Sequence, residues 1–306
     1  MDDIKFYILD VFCQRKYGGN QLAVVIAPPE ASCEWMQDVS REFNYSETVF
    51  LFPGSADTGA YAARIFTPAR EIPFAGHPTL GAAFVAKHEG VANPRVIGDA
   101  TPRIIMEKVV INLKAGPITV TFEREDGDEI LWMRQMPPVF GRTHSPDDVC
   151  GFLNLHRDDI HERYPVQEVS TGLPFIIVPV KTLQAVKKAK INMDGYVRHF
   201  VNETAHPIYL FCPETYRAEN RINARMFGHV LGIPEDPATG SACGCLGGYL
   251  VRHDYFGGAA AVDARVEQGY EIGRESLLRL KARQANAEIA VHVGGRVIKT
   301  AEGALR

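Results

Sequence analysis

Two stretches of this chain repeat one design: a strand pattern, a loop carrying Gly or Pro, and then an apolar helix. The first covers residues 64–86 and the second residues 221–249. In the first, a strand pattern at 61–66 runs through the loop 67–73 into a helix. Pro78 suits that helix's first position, Leu80, Ala83, Phe84 and Lys87 continue it, and Gly90 can close it. In the second, a strand at 222–226 leads through the loop 232–240 into a helix from 242 to about 253. The correspondence is one of layout, not of matched residues.

The neighbouring segments fall into the same order. A hairpin pattern at 4–12 and 22–26 turns at Gly18-Gly19-Asn20, where glycine supplies positive φ. Ser32 suits the N-cap of a helix carrying Trp35, Met36, Val39 and Phe43, followed by a strand at 48–52. Strand patterns at 104–113 and 118–122 follow the first design. In the second half come a strand at 175–180, a helix at 182–189 and a strand at 208–212; residues 289–293 and 296–300 read as a last hairpin around Gly294-Gly295. Two similar α+β halves facing each other are the simplest chain of this kind. Short strands around single long helices argue against a doubly wound parallel sheet.

Composition removes several classes of function. The 306 residues suit two domains, and 46% apolar with 23% charged residues is ordinary for a globular protein. The net charge of −4 comes from interspersed acids and bases, with Lys187-Lys188 the densest basic spot, so no nucleic-acid footprint is expected. Six cysteines without a small-domain disulfide spacing favour reduced thiols and a cytoplasmic location. The start of the chain has no export pattern, and no window approaches the ~20 apolar residues of a membrane span.

Three segments carry chemistry. Glu71-Ile72-Pro73-Phe74-Ala75-Gly76-His77-Pro78-Thr79 brings a Gly and a His to a helix start, where backbone N–H groups attract anions such as a substrate carboxylate. Taken alone, the motif reads equally as a functional site or as His77 simply capping the helix or packing in the core. Glu235-Asp236-Pro237-Ala238-Thr239-Gly240-Ser241-Ala242 has the same design with an acid and hydroxyls added; ordinary capping explains Asp236 and Ser241 singly, but not the pairing of two such turns. Glu47 stands at the mouth of the apolar strand 48–52, where partial burial would raise its pKa toward the range useful for a general acid or base. Alone it reads as a surface glutamate.

Other signals are weaker. His156, His161 and Glu162 sit among Asp158, Asp159 and Arg163, as on a solvated helix face, so no metal is expected. Gly244-Cys245-Leu246-Gly247-Gly248 lacks the dinucleotide pattern, and the phosphate-loop lysine is missing, so no nucleotide cofactor is expected either. Cys243 and Cys245 read as core packing inside the second helix.

Together these residues resemble the PhzF family of phenazine-biosynthesis isomerases, which share the fold of diaminopimelate epimerase and proline racemase. The likeness is carried by Phe12 with Gly19-Asn20-Gln21-Leu22-Ala23-Val24-Val25, by Ser46-Glu47-Thr48-Val49-Phe50 and by Phe66-Thr67-Pro68. It continues in Gly76-His77-Pro78-Thr79 and in the segment from Glu235 to Ala242. The resemblance implies an α+β fold of two pseudo-symmetric diaminopimelate epimerase-like domains, residues 1–116 with 286–306 and residues 117–285. Each would be a mixed, strongly curved sheet around a central helix, with the active site between them.

It further implies Glu47 as the acid/base that takes a proton from a ring carbon and returns it elsewhere, with His77 and Asp236 assisting. Asn20, Gly76, Thr239, Gly240 and Ser241 would bind substrate. The expected activity is a cofactor-independent isomerisation of a small cyclic amino acid-like carboxylate, similar to that of trans-2,3-dihydro-3-hydroxyanthranilate isomerase, by a homodimer. An epimerase or racemase on the same fold and a non-catalytic binding protein are the alternatives. Epimerases of this fold place a cysteine on each side of the substrate, whereas the matching turns here carry Gly76 and Asp236, which disfavours a two-cysteine racemisation.

Overall fold

A computed structural model describes residues 3–55, 60–89, 107–201, 204, 206–258 and 260–306. The chain divides into two compact units, residues 1–133 with 294–306 and residues 134–293.

The first unit runs β1 (Ile4–Val11), β2 (Asn20–Ile26), α1 (Cys33–Phe43), β3 (Thr48–Ser55), β4 (Ala60–Phe66), β5 (Glu71–Ile72) and α2 (Gly76–His88). It continues with β6 (Lys108–Leu113), β7 (Gly116–Glu125) and β8 (Asp128–Arg134). The second holds β9 (Val139–His144), α3 (Pro146–Leu153), β10 (Val166–Ser170), β11 (Pro174–Pro179), α4 (Leu183–Lys188) and α5 (Met193–His199). After these come β12 (Ile208–Cys212), β13 (Ile222–Gly228), β14 (Ile233–Asp236), α6 (Gly240–Arg252), β15 (Ala261–Gln268), β16 (Ser276–Ala285) and β17 (Glu288–Gly295), and β18 (Val297–Leu305) returns to the first unit.

The strand pairings of the two units follow one rule. In the first, β1 and β2 pair antiparallel, β2 and β3 parallel, β3 and β4 antiparallel, β4 and β6 parallel, and β6 and β7 antiparallel. In the second, β10–β11, β11–β12, β12–β13, β13–β15 and β15–β16 alternate in the same sequence. Short β5 and β14 each add to the strand that feeds the long helix, β4 and β13. The repeat expected from the layout of the sequence is therefore a repeat of topology.

Each long helix is a core element. In the first unit α2 packs against β1, β2, β3, β4, β6, β7 and β18, so the mixed sheet wraps it. Small residues make this possible: a Cβ at Gly81 would overlap Leu22 and lie 3.2 Å from Leu9 Cδ1. In the second unit α6 packs against β10, β11, β15 and β16, and Gly247 brings it within 2.7 Å, measured from an added Cβ, of Leu280 Cδ1. The glycines of Gly244-Cys245-Leu246-Gly247-Gly248 thus serve close packing inside a helix.

On the other face of the first sheet, Trp35 and Met36 of α1 cover Phe50 and Phe66, with ring centroids 5.6 Å apart for Trp35–Phe50 and 5.5 Å for Phe50–Phe66. Ser32 caps α1 by accepting from Trp35 N at 3.1 Å, as expected. Full burial of a side chain such as Met36 or Phe50 contributes about 1.5–3 kcal/mol.

Three expectations need correction. Helix α2 begins at Gly76, so Pro78 is its third residue; α6 begins at Gly240 rather than at residue 242. The 156–162 segment is not a helix face but a single 3₁₀ turn, Arg157–Asp159. Gly90 as a helix end and the start of the 104–113 strand lie outside the described residues.

Candidate active site

Glu47 is the residue immediately before β3, at the end of the sheet where β4 leaves: Thr48 is paired with Phe66 in the antiparallel ladder. From Phe66 the chain turns at Thr67, whose N–H donates to Arg70 O at 2.8 Å, adds β5, and enters α2. That path returns the start of α2 to the end of the sheet that carries Glu47. His77 Nε2 consequently lies 3.5 Å from Glu47 Oε2, with side-chain exposures of 7% and 14%.

Among the described residues Glu47 Oε2 accepts no hydrogen bond. Burial pushes the carboxyl above the usual carboxylate range, and the adjacent Ser46 opposes this only in part. A carboxyl of raised proton affinity, beside an imidazole and short of donors, is suited to taking up and giving back a proton near neutral pH.

His77 does not cap its helix. The N-cap position is Ala75, and among the described residues no side chain caps the α2 terminus; the Thr79 hydroxyl donates backward to Ala75 O at 2.7 Å. Gly76 is buried at the first turn. Asn20 is buried as the first residue of β2, directly after Gly19 at φ 69°.

In the second unit the same topological point carries Asp236, Thr239, Gly240 and Ser241. Asp236 ends β14 and is buried. Its predecessor Glu235 forms a bidentate pair with Arg225 at 2.8 and 2.7 Å, and the same guanidinium donates to Val186 O and Ala189 O at 2.8 and 2.9 Å. One buried arginine thus ties β13, β14 and the end of α4 together, which fixes the strand from which Asp236 projects.

Thr239 is the N-cap residue of α6 by position, yet its hydroxyl does not cap the helix. It donates instead to the Asp236 carboxylate. Gly240 and Ser241 are the first two helical residues, with Gly240 buried and Ser241 half-buried. Among the described residues both long helices therefore begin without a side-chain cap, the arrangement in which the positive end of the helix can meet an anion.

Cys243 and Cys245 lie one turn into α6 and are fully buried; burial pushes the Cys245 thiol up to about 12 and raises that of Cys243 as well. Neither is a thiolate at neutral pH, in keeping with a packing role. Sequence reasoning overlooked Tyr209 and Gln268, both completely buried beside the Asp236 turn. A polar Glu267-Gln268 pair at the end of a strand reads as solvent-facing, and only the structure buries it.

Comparison with known proteins identifies the class. An uncharacterised isomerase of Mesorhizobium japonicum is 31% identical, with 100% of this chain and 99% of that protein matched. The trans-2,3-dihydro-3-hydroxyanthranilate isomerase of Pseudomonas aeruginosa is 28% identical over 98% of each chain. Among solved structures, a PhzF family phenazine biosynthesis protein of Bacillus anthracis superposes with a TM-score of 0.86 at 24% identity, covering all of both chains. A probable proline racemase of Agrobacterium radiobacter shares the fold at a TM-score of 0.58 and 12% identity, covering 99% of this chain and 93% of that one. The protein is an isomerase with the α+β, diaminopimelate epimerase-like fold. Residues 9–303 match the model of the phenazine biosynthesis-like PhzC-PhzF family, and the chain belongs to that family.

Proposed function

We propose that the protein moves a proton between carbons of a small cyclic amino acid-like carboxylate, a compound of the kind named in its Pseudomonas aeruginosa relative, the trans-2,3-dihydro-3-hydroxyanthranilate isomerase. The reading is carried by one observation: a buried carboxyl of raised proton affinity, Glu47, 3.5 Å from His77 at an uncapped helix start. The Glu47 carboxylate takes a proton from a ring carbon, the electron pair shifts along the unsaturated ring, and the Glu47 carboxylic acid returns the proton to a second carbon. No redox change occurs, and no metal or organic cofactor takes part. His77 and Asp236 assist, with Asn20, Gly76, Thr239, Gly240 and Ser241 binding the substrate, and the enzyme works as a cytoplasmic homodimer.

A positioned acid/base supplies about 10²–10⁴ in rate, so orientation and charge stabilisation by the uncapped helix starts must supply the rest. Gly76 and Asp236 at the two turns, with Cys243 and Cys245 protonated inside α6, favour a single acid/base over a pair of thiols.

The test is turnover of trans-2,3-dihydro-3-hydroxyanthranilate in deuterated water by wild type and Glu47→Gln. The expected result is isomerisation with solvent deuterium at the newly protonated carbon, and a loss of at least about 10³ in kcat for Glu47→Gln with binding of 3-hydroxyanthranilate retained. A variant that keeps most of the activity would overturn the role of Glu47. Inversion of an amino-acid α-centre with exchange of its proton would instead identify an epimerase.

A further inference from the structure

Gln268 closes β15 with its side chain completely buried, and it makes four hydrogen bonds to three residues. Its Oε1 accepts from the Tyr209 hydroxyl at 3.2 Å and from Thr239 N–H at 3.3 Å. Its Nε2 donates to Asp236 O at 2.8 Å and to Thr239 Oγ1 at 3.0 Å.

The orientation of this amide is not a free choice. A backbone N–H can only donate and a backbone carbonyl can only accept, so Thr239 N–H fixes one end as oxygen and Asp236 O fixes the other as nitrogen. Tyr209 agrees: burial raises its hydroxyl far above its ordinary value, so it stays a donor. Thr239 Oγ1 has a single proton. Because Gln268 already donates to that oxygen, the proton is left to point at the Asp236 carboxylate, which is where it goes.

We propose that Gln268 is a positioning residue for the reaction, aiming the Thr239 hydroxyl so that the Asp236 carboxylate is held in one orientation. The inference rests on the reading of Asp236 as part of the site. It assigns work to a strand residue that no sequence motif contains and that reaches the start of α6 only through Thr239. Without Gln268 the Thr239 hydroxyl is free to turn toward the uncapped end of α6, the usual partner of an N-cap side chain. Asp236 would then lose a charge-assisted hydrogen bond.

The experiment is a double-mutant cycle with Gln268→Met and Thr239→Val. It is read as kcat and KM on trans-2,3-dihydro-3-hydroxyanthranilate and as the Kd of 3-hydroxyanthranilate, with melting temperature recorded for each variant. Each single change is expected to lower kcat about tenfold to a hundredfold, the usual weight of a charge-assisted hydrogen bond, with KM within about threefold. The double variant should be no worse than the poorer single, because both remove one and the same donor to Asp236. Losses that multiply, or a folded Gln268→Met with wild-type kcat and a lower melting temperature, would overturn the proposal and leave Gln268 a purely structural residue.

If Gln268→Met does not fold, Tyr209→Phe takes its place in the cycle. It loosens the same amide, with a smaller loss expected in the same direction. Glu47→Gln in the same assay separates the two readings: if it is inactive while the Gln268 cycle is additive, only the positioning role fails. If the wild type does not turn over the probe, the proposed reaction fails while the Kd cycle still reads the coupling.

Discussion

At Glu47 the demands of chemistry and of folding conflict. Burial favours the neutral carboxylic acid, so the folded chain binds that proton more tightly than the unfolded chain does. Stability from this group is fully present below its unfolded value of 4.5 and is lost as the pH rises toward the higher folded value. Glu47→Gln carries no such penalty. The melting temperature of Glu47→Gln relative to wild type should therefore rise between pH 4 and pH 8 and level off once Glu47 is ionised in the folded protein. Thermal unfolding of both proteins across that range checks it. A gap that is constant, or wider at pH 4, would mean that the carboxyl is not held in a desolvated site. The same residue shows what single-residue reading can and cannot find. The position of Glu47 at the mouth of a strand was visible in Ser46-Glu47-Thr48, but its burial depends on how β4 and α2 fold back, which no local pattern encodes.

At the scale of elements, the turn after β15 is built around Gly269, which has φ 79°. An added Cβ there would run into Arg274 O and lie 2.6 Å from Pro237 O, both backbone atoms that cannot swing away. Gly273, in the same turn at φ 72°, has open space around the same position. The pair separates conformation from crowding: Gly273→Ala should cost about 1 kcal/mol, the ordinary penalty for a left-handed alanine, and Gly269→Ala about 3 kcal/mol or more. Chemical denaturation of both variants checks the difference, and equal costs would show that the Pro237 backbone is free to move. The long helices were legible in the sequence because their apolar character is uninterrupted and their loops carry Gly and Pro. Among the short ones α4 was legible as the 182–189 helix, but α3 and α5 were not. Helix α3 has Ser145 at its cap, Pro146 behind it and a buried face of Val149, Phe152 and Leu153, but only eight residues to carry that pattern, and the seven residues of α5 leave Met193 and Val197 exposed. Strand β15 alternates Val262, Ala264 and Val266 with Asp263 and Arg265; alanine and charge are poor strand formers, and the period-two signal was hidden by them.

For the whole molecule, groups in both units set how the fold responds to acid, and they act in two ranges. Burial lowers the imidazoles of His144, His161 and His253 below their ordinary value of 6.5, with Glu168 opposing this at His144 and Glu162 at His161. Their contribution to stability is present above 6.5 and is lost as the pH falls toward their folded values. The carboxyls respond further down. Arg64 holds Glu71 below its usual range; at Glu129 burial acts upward but Lys87 and His88 outweigh it, and at Asp159 burial is outweighed by Lys188 together with the His156 N–H. Stability from these three is present above their unfolded values of about 4 and lost as the pH falls through the lower folded ones. Each pair is partly exposed, so its share is about 1 kcal/mol or less. Glu47 acts in the opposite sense within the upper range, so the two-stage loss is cleanest in Glu47→Gln. In that background the melting temperature should decline from about pH 6.5 and then more steeply below about pH 4.5. Adding His253→Gln should flatten the first decline without touching the second, and Arg64→Met should do the reverse. A single transition confined to the carboxylate range would show that the buried imidazoles keep ordinary proton affinities in the folded protein.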